Sequence, residues 1–276
     1  MCGIVCIVSR QSARPAPAPD SVLAGLDAAV AAGRSGDLGG CAAMATAADA
    51  SLRGDAGLAA LLDHADLAPA LAARAESLVR IADEEEAGLE SGGARSAREL
   101  DAASALVGAI RDAAFALVHD RIRTARMVSE LAGPGAPRSA QHAYLSIQQA
   151  FSALDRMEVR GRDSAGVHVL VWGHGVSAAD PSVATLLGDR DRDPLFTSRS
   201  VRPGSNGRAW SFVYKAAAEI GELGDNTRAM RAAVAADDLL RHLLVQPGAR
   251  ASVIGHTRWA SVGIISEPNA HPVNSE

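Results

Sequence analysis

Three short segments carry residues whose types and spacing could do chemistry. Cys2 follows Met1, and a small residue at position 2 favours removal of that methionine. The cysteine then holds a thiol and a free α-amine on one residue. An α-amine titrates at about 7.7–8.0 in model peptides. It can therefore accept its own thiol's proton near neutral pH, directly or through a water, as in an N-terminal nucleophile. The competing reading of Cys2 is a small residue opening a buried strand. The second segment, residues 158–166, reads Glu-Val-Arg-Gly-Arg-Asp-Ser-Ala-Gly between a helix and a strand. Arg160 there could hold the N-terminal residue or its thiolate, or be a surface arginine at a helix exit. The third segment reads Gly-His-Thr-Arg-Trp-Ala-Ser-Val-Gly over 255–263 and Ser-Glu-Pro-Asn-Ala-His-Pro over 266–272. An arginine at a strand end can grip a carboxylate in a bidentate fork, and a serine beside it can hydrogen-bond a small polar ligand.

Other chemistries fit less well. Cys2 and Cys6 lie four residues apart in one predicted strand, about 13 Å, too far for a disulfide. Cys6 and Cys41 read as inert small hydrophobes. His256 and His271 lack a second ligand at metal-site spacing, so neither a metal nor a cofactor is expected. No Gly-x-Ser-x-Gly elbow accompanies Asp163-Ser164, and the glycine spacing fits no phosphate loop.

The elements that must position these residues follow from the 276-residue composition, 48% hydrophobic, 21% charged and only 3% aromatic. Lys215 is the sole lysine beside 26 arginines. A net charge of −5 argues against a nucleic-acid partner, which needs a basic face. Three cysteines make no disulfide framework and point to a reducing, cytoplasmic setting; the short apolar start predicts neither a signal segment nor a membrane partner. Residues 2–9 are β-branched and continuously apolar, so a strand covered on both faces is expected. Alternate prolines over 14–19 make a stiff linker. Helices are expected over 21–32 with Asp20 as N-cap, broken by Gly33 to Gly40, over 57–89, broken by Ser91-Gly92-Gly93, and over 96–131 with a Ser96–Glu99 capping box. These form a hairpin-like insert, with Glu84-Glu85-Glu86 as a solvated face. A helix over 139–157 places Tyr144, Ile147, Gln148, Phe151 and Leu154 on one side. Strands follow over 166–173, 210–215 and 251–256, with a loop or a long excursion over 174–208 and a helix over 226–244.

Taken together and in this order, Met-Cys-Gly-Ile-Val, Arg-Gly-Arg-Asp-Ser-Ala-Gly and His-Thr-Arg-Trp-Ala-Ser…Asn-Ala-His-Pro resemble the glutaminase domain of class II glutamine amidotransferases. The resemblance is nearest to the glutamine–fructose-6-phosphate branch and covers residues 2–9 and about 141–276. It implies an α+β fold, the N-terminal-nucleophile αββα sandwich, incomplete here, with a mainly helical insertion over 11–138. It implies hydrolysis of glutamine to glutamate and ammonia by Cys2 through a thioester. Arg160 and Gly161 match residues that brace the cysteine, and Arg258 matches the one that binds the glutamine α-carboxylate. Trp259, Ser261 and His271 match the glutamine pocket. The partners it implies are glutamine, a phosphosugar acceptor on a further domain, and a second copy through that domain. Val159, Arg162, Val262 and Ile264-Ile265 depart from the family's pattern. The family's oxyanion donors and its α-amine-binding aspartate fall beyond Glu276, so a fragment without glutaminase activity of its own is expected. The rival reading is a glutamine-sensing or partner-binding module of the same fold.

Overall fold

The computed structural model describes residues 2–91, 96–205, 207–217 and 222–273. The chain divides into two compact units, Ser12–Arg126 and Met1–Gln11 with Met127–Glu276.

The first unit is helical: α1 (Pro19–Arg34), α2 (Leu38–Ser51), α3 (Gly54–Asp63), α4 (Leu67–Ser91), α5 (Ala97–Phe115) and a π-helical stretch, Ala116–Ile122, that runs on into α6 (Arg123–Ala132), of which only the residues up to Arg126 belong to this unit. Its alanine content lets helices approach closely. A Cβ on Gly33 of α1 would lie 2.9 Å from Ile81 Cγ2 and 3.1 Å from Cys41 Sγ. Asp49 is buried, and both Arg53 (2.8 Å) and Arg121 (2.9 Å) pair with it. The Ser96–Glu99 capping box is present. Other expectations are corrected. Ala18, not Asp20, is the N-cap of α1, because Pro19 opens the helix. The break expected over 33–40 is narrower, lying between Arg34 and Leu38: Gly39 and Gly40 belong to the first turn of α2, where the Asp37 carboxylate accepts the Gly40 N–H at 2.9 Å. The stretch over 57–89 is two helices, and the insert holds more than a hairpin. The break expected at Gly92-Gly93 lies outside the described residues. The continuous run Ala97–Ala132 has the length and hydropathy of a membrane span. Its α5 portion packs on α2 and α4, and Arg111 pairs with Asp83 and Glu86 of α4.

The second unit is α+β. Among the described residues it holds one five-stranded antiparallel sheet, order β1-β5-β2-β4-β3, from β1 (Gly3–Val8), β2 (Ser164–Trp172), β3 (Val201–Pro203), β4 (Ala209–Ala216) and β5 (Arg250–Arg258). One face is covered by α7 (Arg138–Met157) on β1 and β5 and by α9 (Asp225–Ala235) on β4 and β2. The predicted side of α7 is its buried side: Tyr144, Ile147, Gln148, Phe151 and Leu154 are all essentially inaccessible. Val167, Val169, Val171, Phe212, Tyr214 and Val253, alternate residues of their strands (the β period of two), are buried as well.

The opposite face is open over β1 and β5. Ile4 is 71% exposed, Val8 74%, Ile254 48%, and Cys6 is exposed with them. The expectation that β1 is covered on both faces is therefore corrected, as is the burial of Cys6; Cys41 alone is buried. A continuous apolar run signals two faces with little affinity for water, not that both are occupied. The region 174–208 is not all loop: it contains α8 (Pro181–Leu187), N-capped by Asp180, and β3. The helix over 226–244 is likewise two, α9 and α10 (Asp238–Leu244), parted at Asp237. Asp237 is fully buried; it caps α10 through Leu240 N (3.1 Å) and accepts from Tyr214 Oη (2.8 Å) and both Arg190 terminal nitrogens.

Candidate functional site

The three chemistry-bearing segments meet at one end of the sheet, around Thr257. β1 begins at Gly3, whose N–H donates to Thr257 Oγ1 at 3.1 Å, and Gly3 pairs with Thr257 in register. A side chain at position 3 or 161 would crowd its neighbours. A Cβ on Gly3 would lie 2.7 Å from Met157 Sδ and 3.0 Å from Thr257 Oγ1. One on Gly161 would lie 3.0 Å from the same Oγ1 and 3.2 Å from the Thr257 carbonyl carbon. Two glycines far apart in sequence thus close on one fully buried threonine. Cys2, immediately before Gly3, is exposed and in no disulfide. Met1 and the side chain of Arg160 lie outside the described residues.

The turn that carries Arg160 and Gly161 is a single 3₁₀ turn, Glu158–Arg160, at the end of α7. Glu158 is 1% exposed. Its carboxylate accepts the Gly224 N–H and, at 3.3 Å, Asn226 Nδ2. Asn226 Nδ2 also donates to Arg162 O at 2.9 Å. Asp163 ties this turn to the third segment. Its Oδ2 accepts the Ala260 N–H at 2.6 Å, and its own N–H donates to Arg258 O at 3.2 Å.

Arg258 ends β5, and its guanidinium is wrapped by its own loop: it donates to Val262 O at 2.7 Å and Ile264 O at 3.5 Å. Asn269 Nδ2 closes the loop on Ile264 O at 3.0 Å. Trp259 is 53% exposed, Val262 82% and Ile264 77%, and Ser261 is exposed. His271 is exposed further along, its ring centroid 4.4 Å from that of His256. Its carbonyl oxygen sits 1.9 Å from where a Cβ on Gly166 would be. Gly166 pairs with His256, and Ser164 with Arg258. His271 is therefore set back about 7 Å along the strands from Arg258, two residues of rise. The structure gathers Cys2, Gly161 and the base of the Arg258 loop, while Trp259, Ser261 and His271 stand on the open loop around them.

Several polar groups around this end of the sheet carry little local sequence signal. Lys215, the partner of Gly166 on β4, is 3% exposed, and its Nζ has no hydrogen-bond partner among the described residues. It lies 5.2 Å from the centre of the Phe196 ring. Burial pulls Lys215 down to about 8, against the opposing pull of Glu267 and Asp193. Burial, then the charges of His271 and Arg258, hold His256 down to about 4. Ser164 Oγ and His256 Nδ1 are also buried without a partner among the described residues. Thr257 could have been suspected from its place between His256 and Arg258, but nothing local shows two glycines closing on it. Asn226 and Glu158 gave no signal, since their bonds span more than sixty residues. No group of three or more His, Cys, Asp or Glu that could hold a metal occurs among the described residues.

Chemically, the site offers an accessible thiol just before an edge strand, a hydrogen-bonded turn beside it and an arginine at the end of β5 next to it. Comparison with models of protein families, with curated proteins and with solved structures finds no match to this chain.

Proposed function

We propose that this chain is the glutaminase part of a class II glutamine amidotransferase, with Cys2 as nucleophile once Met1 is removed. The observation that carries the reading is the convergence on Thr257: the start of β1, the Gly161 turn and the Arg258 segment abut, as an N-terminal nucleophile beside a carboxylate-binding arginine requires. The sheet with helices on one face and an apolar, open second face supports the sandwich reading, in which a second sheet lies against Ile4, Cys6, Val8 and Ile254.

In this mechanism the Cys2 thiol gives its proton to its own α-amine, and the sulfur attacks the side-chain amide carbon of glutamine. The tetrahedral oxyanion collapses, the C–N bond breaks, and the α-amine passes the proton to the leaving nitrogen, which departs as ammonia. Water then adds to the thioester, returning glutamate and the free thiol. Arg258 holds the α-carboxylate, which takes the place of the Val262 and Ile264 carbonyls now on the guanidinium. Trp259, Ser261 and His271 line the pocket, and Arg160 with Gly161 braces Cys2. Ammonia passes to an acceptor, by resemblance a phosphosugar such as fructose 6-phosphate.

A second reading, a glutamine-sensing or partner-binding module, is favoured by one observation: the guanidinium of Arg258 is already engaged, and its loop presents Val262 and Ile264 outward. The diazo-ketone analogue of glutamine separates the two. Its diazo carbon takes the thiol proton, sulfur bonds to that carbon and dinitrogen leaves, with no tetrahedral oxyanion on the path. The proposal predicts an adduct on Cys2 that excess glutamine prevents and Cys2→Ser abolishes. Glutamine binding without an adduct supports the second reading; neither binding nor adduct overturns both.

A further inference from the structure

We infer that Glu158 and Asn226 are positioning residues for Cys2, acting from the start of α9 through the 158–162 turn; the inference rests on the glutaminase reading above. The chain of contacts is short. Asp225 and Asn226 open α9 behind Gly224, whose left-handed backbone (φ 93°) turns its N–H inward. That N–H and Asn226 Nδ2 converge on the two oxygens of the buried Glu158 carboxylate. A carboxylate at a helix N-terminus also meets the positive end of the helix dipole. Asn226 Nδ2 is shared with Arg162 O, so one amide grips both sides of Gly161. A second tie, from Thr227 Oγ1 to Asp155, fixes the last turn of α7 to the first turn of α9. Gly161, whose N–H donates to Glu158 O at 3.0 Å, is thereby held against Thr257, and Thr257 Oγ1 holds the Gly3 N–H next to Cys2.

Each link is a contact to a buried or backbone group. Moving Glu158 moves Gly161, and there is no side chain at 161 or 3 to absorb the shift. A carboxylate buried to 1% exposure is costly unless its hydrogen bonds are made, so the residue type is held by something more than solubility. Glutamine keeps one acceptor of the two and sets an NH2 donor against the other donor; an alanine removes both. Displacements near 1 Å at a nucleophile cost up to about 10²-fold in rate.

The test uses the full chain and two electrophiles. Iodoacetamide needs only an accessible thiol. The diazo-ketone analogue needs a thiol aimed at a bound glutamine-like group. For Glu158→Ala and Asn226→Ala, the saturating rate of Cys2 labelling by the diazo-ketone should fall tenfold or more. Its half-saturating concentration and the iodoacetamide rate should stay within about threefold, and Glu158→Gln, which keeps one acceptor of the two, should label at a rate between those of Glu158→Ala and the parent. If Glu158→Ala fails to fold, Asn226→Ala and the comparison of Glu158→Gln with the parent carry the same readout. Unchanged diazo-ketone rates in folded variants overturn the inference. So does a fall in diazo-ketone labelling no larger than the unfolded fraction measured at the assay temperature, the signature of a merely structural role. A parent protein that takes no diazo-ketone on Cys2 overturns the glutaminase reading itself, and this inference with it.

Discussion

Gly166→Ala tests how the His271 loop is seated. Gly166 lies in β2 between His256 and Lys215, and a Cβ there would lie 1.9 Å from the His271 carbonyl oxygen and 3.0 Å from the His271 carbonyl carbon. Ordinary contact begins near 3.4 Å, so the carbonyl must retreat by about 1.5 Å. The blocking atom is backbone, so no side-chain rotation relieves it. Overpacking of this kind costs about 1–3 kcal/mol, and displacement of a pocket residue by more than 1 Å costs up to about 10²-fold in productive alignment. The variant should therefore lose about 10²-fold in labelling efficiency by the diazo-ketone, with a raised half-saturating concentration. Iodoacetamide should alkylate Cys2, two strands away, within about twofold of the parent rate. Tryptophan fluorescence reads the stability loss in the sheet unit alone, since Trp172, Trp210 and Trp259 all lie there. Unchanged labelling in a folded Gly166→Ala protein refutes the reasoning, because it means that the His271 backbone does not fix the pocket.

Three further outcomes are expected. Asp237→Ala strips a fully buried carboxylate from Arg190, Tyr214 and the α10 N-terminus; breaking such a pair costs about 3–5 kcal/mol and a lost cap about 1, so urea unfolding should show the sheet unit near the edge of stability. His256 titrates at about 4 in the folded chain against 6.5 unfolded. As pH falls from 6.5 toward 4 the unfolded chain gains a proton that the folded one refuses, so stability drops; His168 and His174, also lowered by burial, add to the loss. His256→Asn should flatten that slope in urea melts between pH 7.5 and 5. Lys215 titrates at about 8 against 10.5 unfolded, so its burial penalty is complete below about 8 and fades as pH rises through 10.5. Lys215→Met should stabilise the sheet unit by ~2–3 kcal/mol at pH 7, with the gain shrinking toward pH 10.5.

How far the fold was legible depended on whether the signal was local. The β-branched strands and the amphipathic α7 were readable because side-chain period alone defines them. The start of α2 was not, since Gly39-Gly40 suggests a break until the Asp37 carboxylate is seen capping Gly40. The gap between α3 and α4 was missed because His64-Ala65-Asp66 contains no breaker; Pro69, in the first turn of α4, was the available clue. Asp237 splits α9 from α10 because Arg190 and Tyr214, distant in sequence, hold it in the interior. At the site, the expected residues Cys2, Gly161 and Arg258 could be picked out by type. The residues that bring them together, Thr257, Glu158 and Asn226, could not, because each acts only through partners far along the chain.

The central claim is that Cys2, and no other thiol, meets glutamine. Cys6 supplies the control within the molecule: it is exposed on the same face of β1, four residues away. The deciding measurement is the partition of diazo-ketone adduct between the Cys2 and Cys6 peptides by mass spectrometry, with and without glutamine. The account predicts label on Cys2 in large excess, with glutamine erasing that excess. Equal labelling of the two cysteines, indifferent to glutamine, contradicts it.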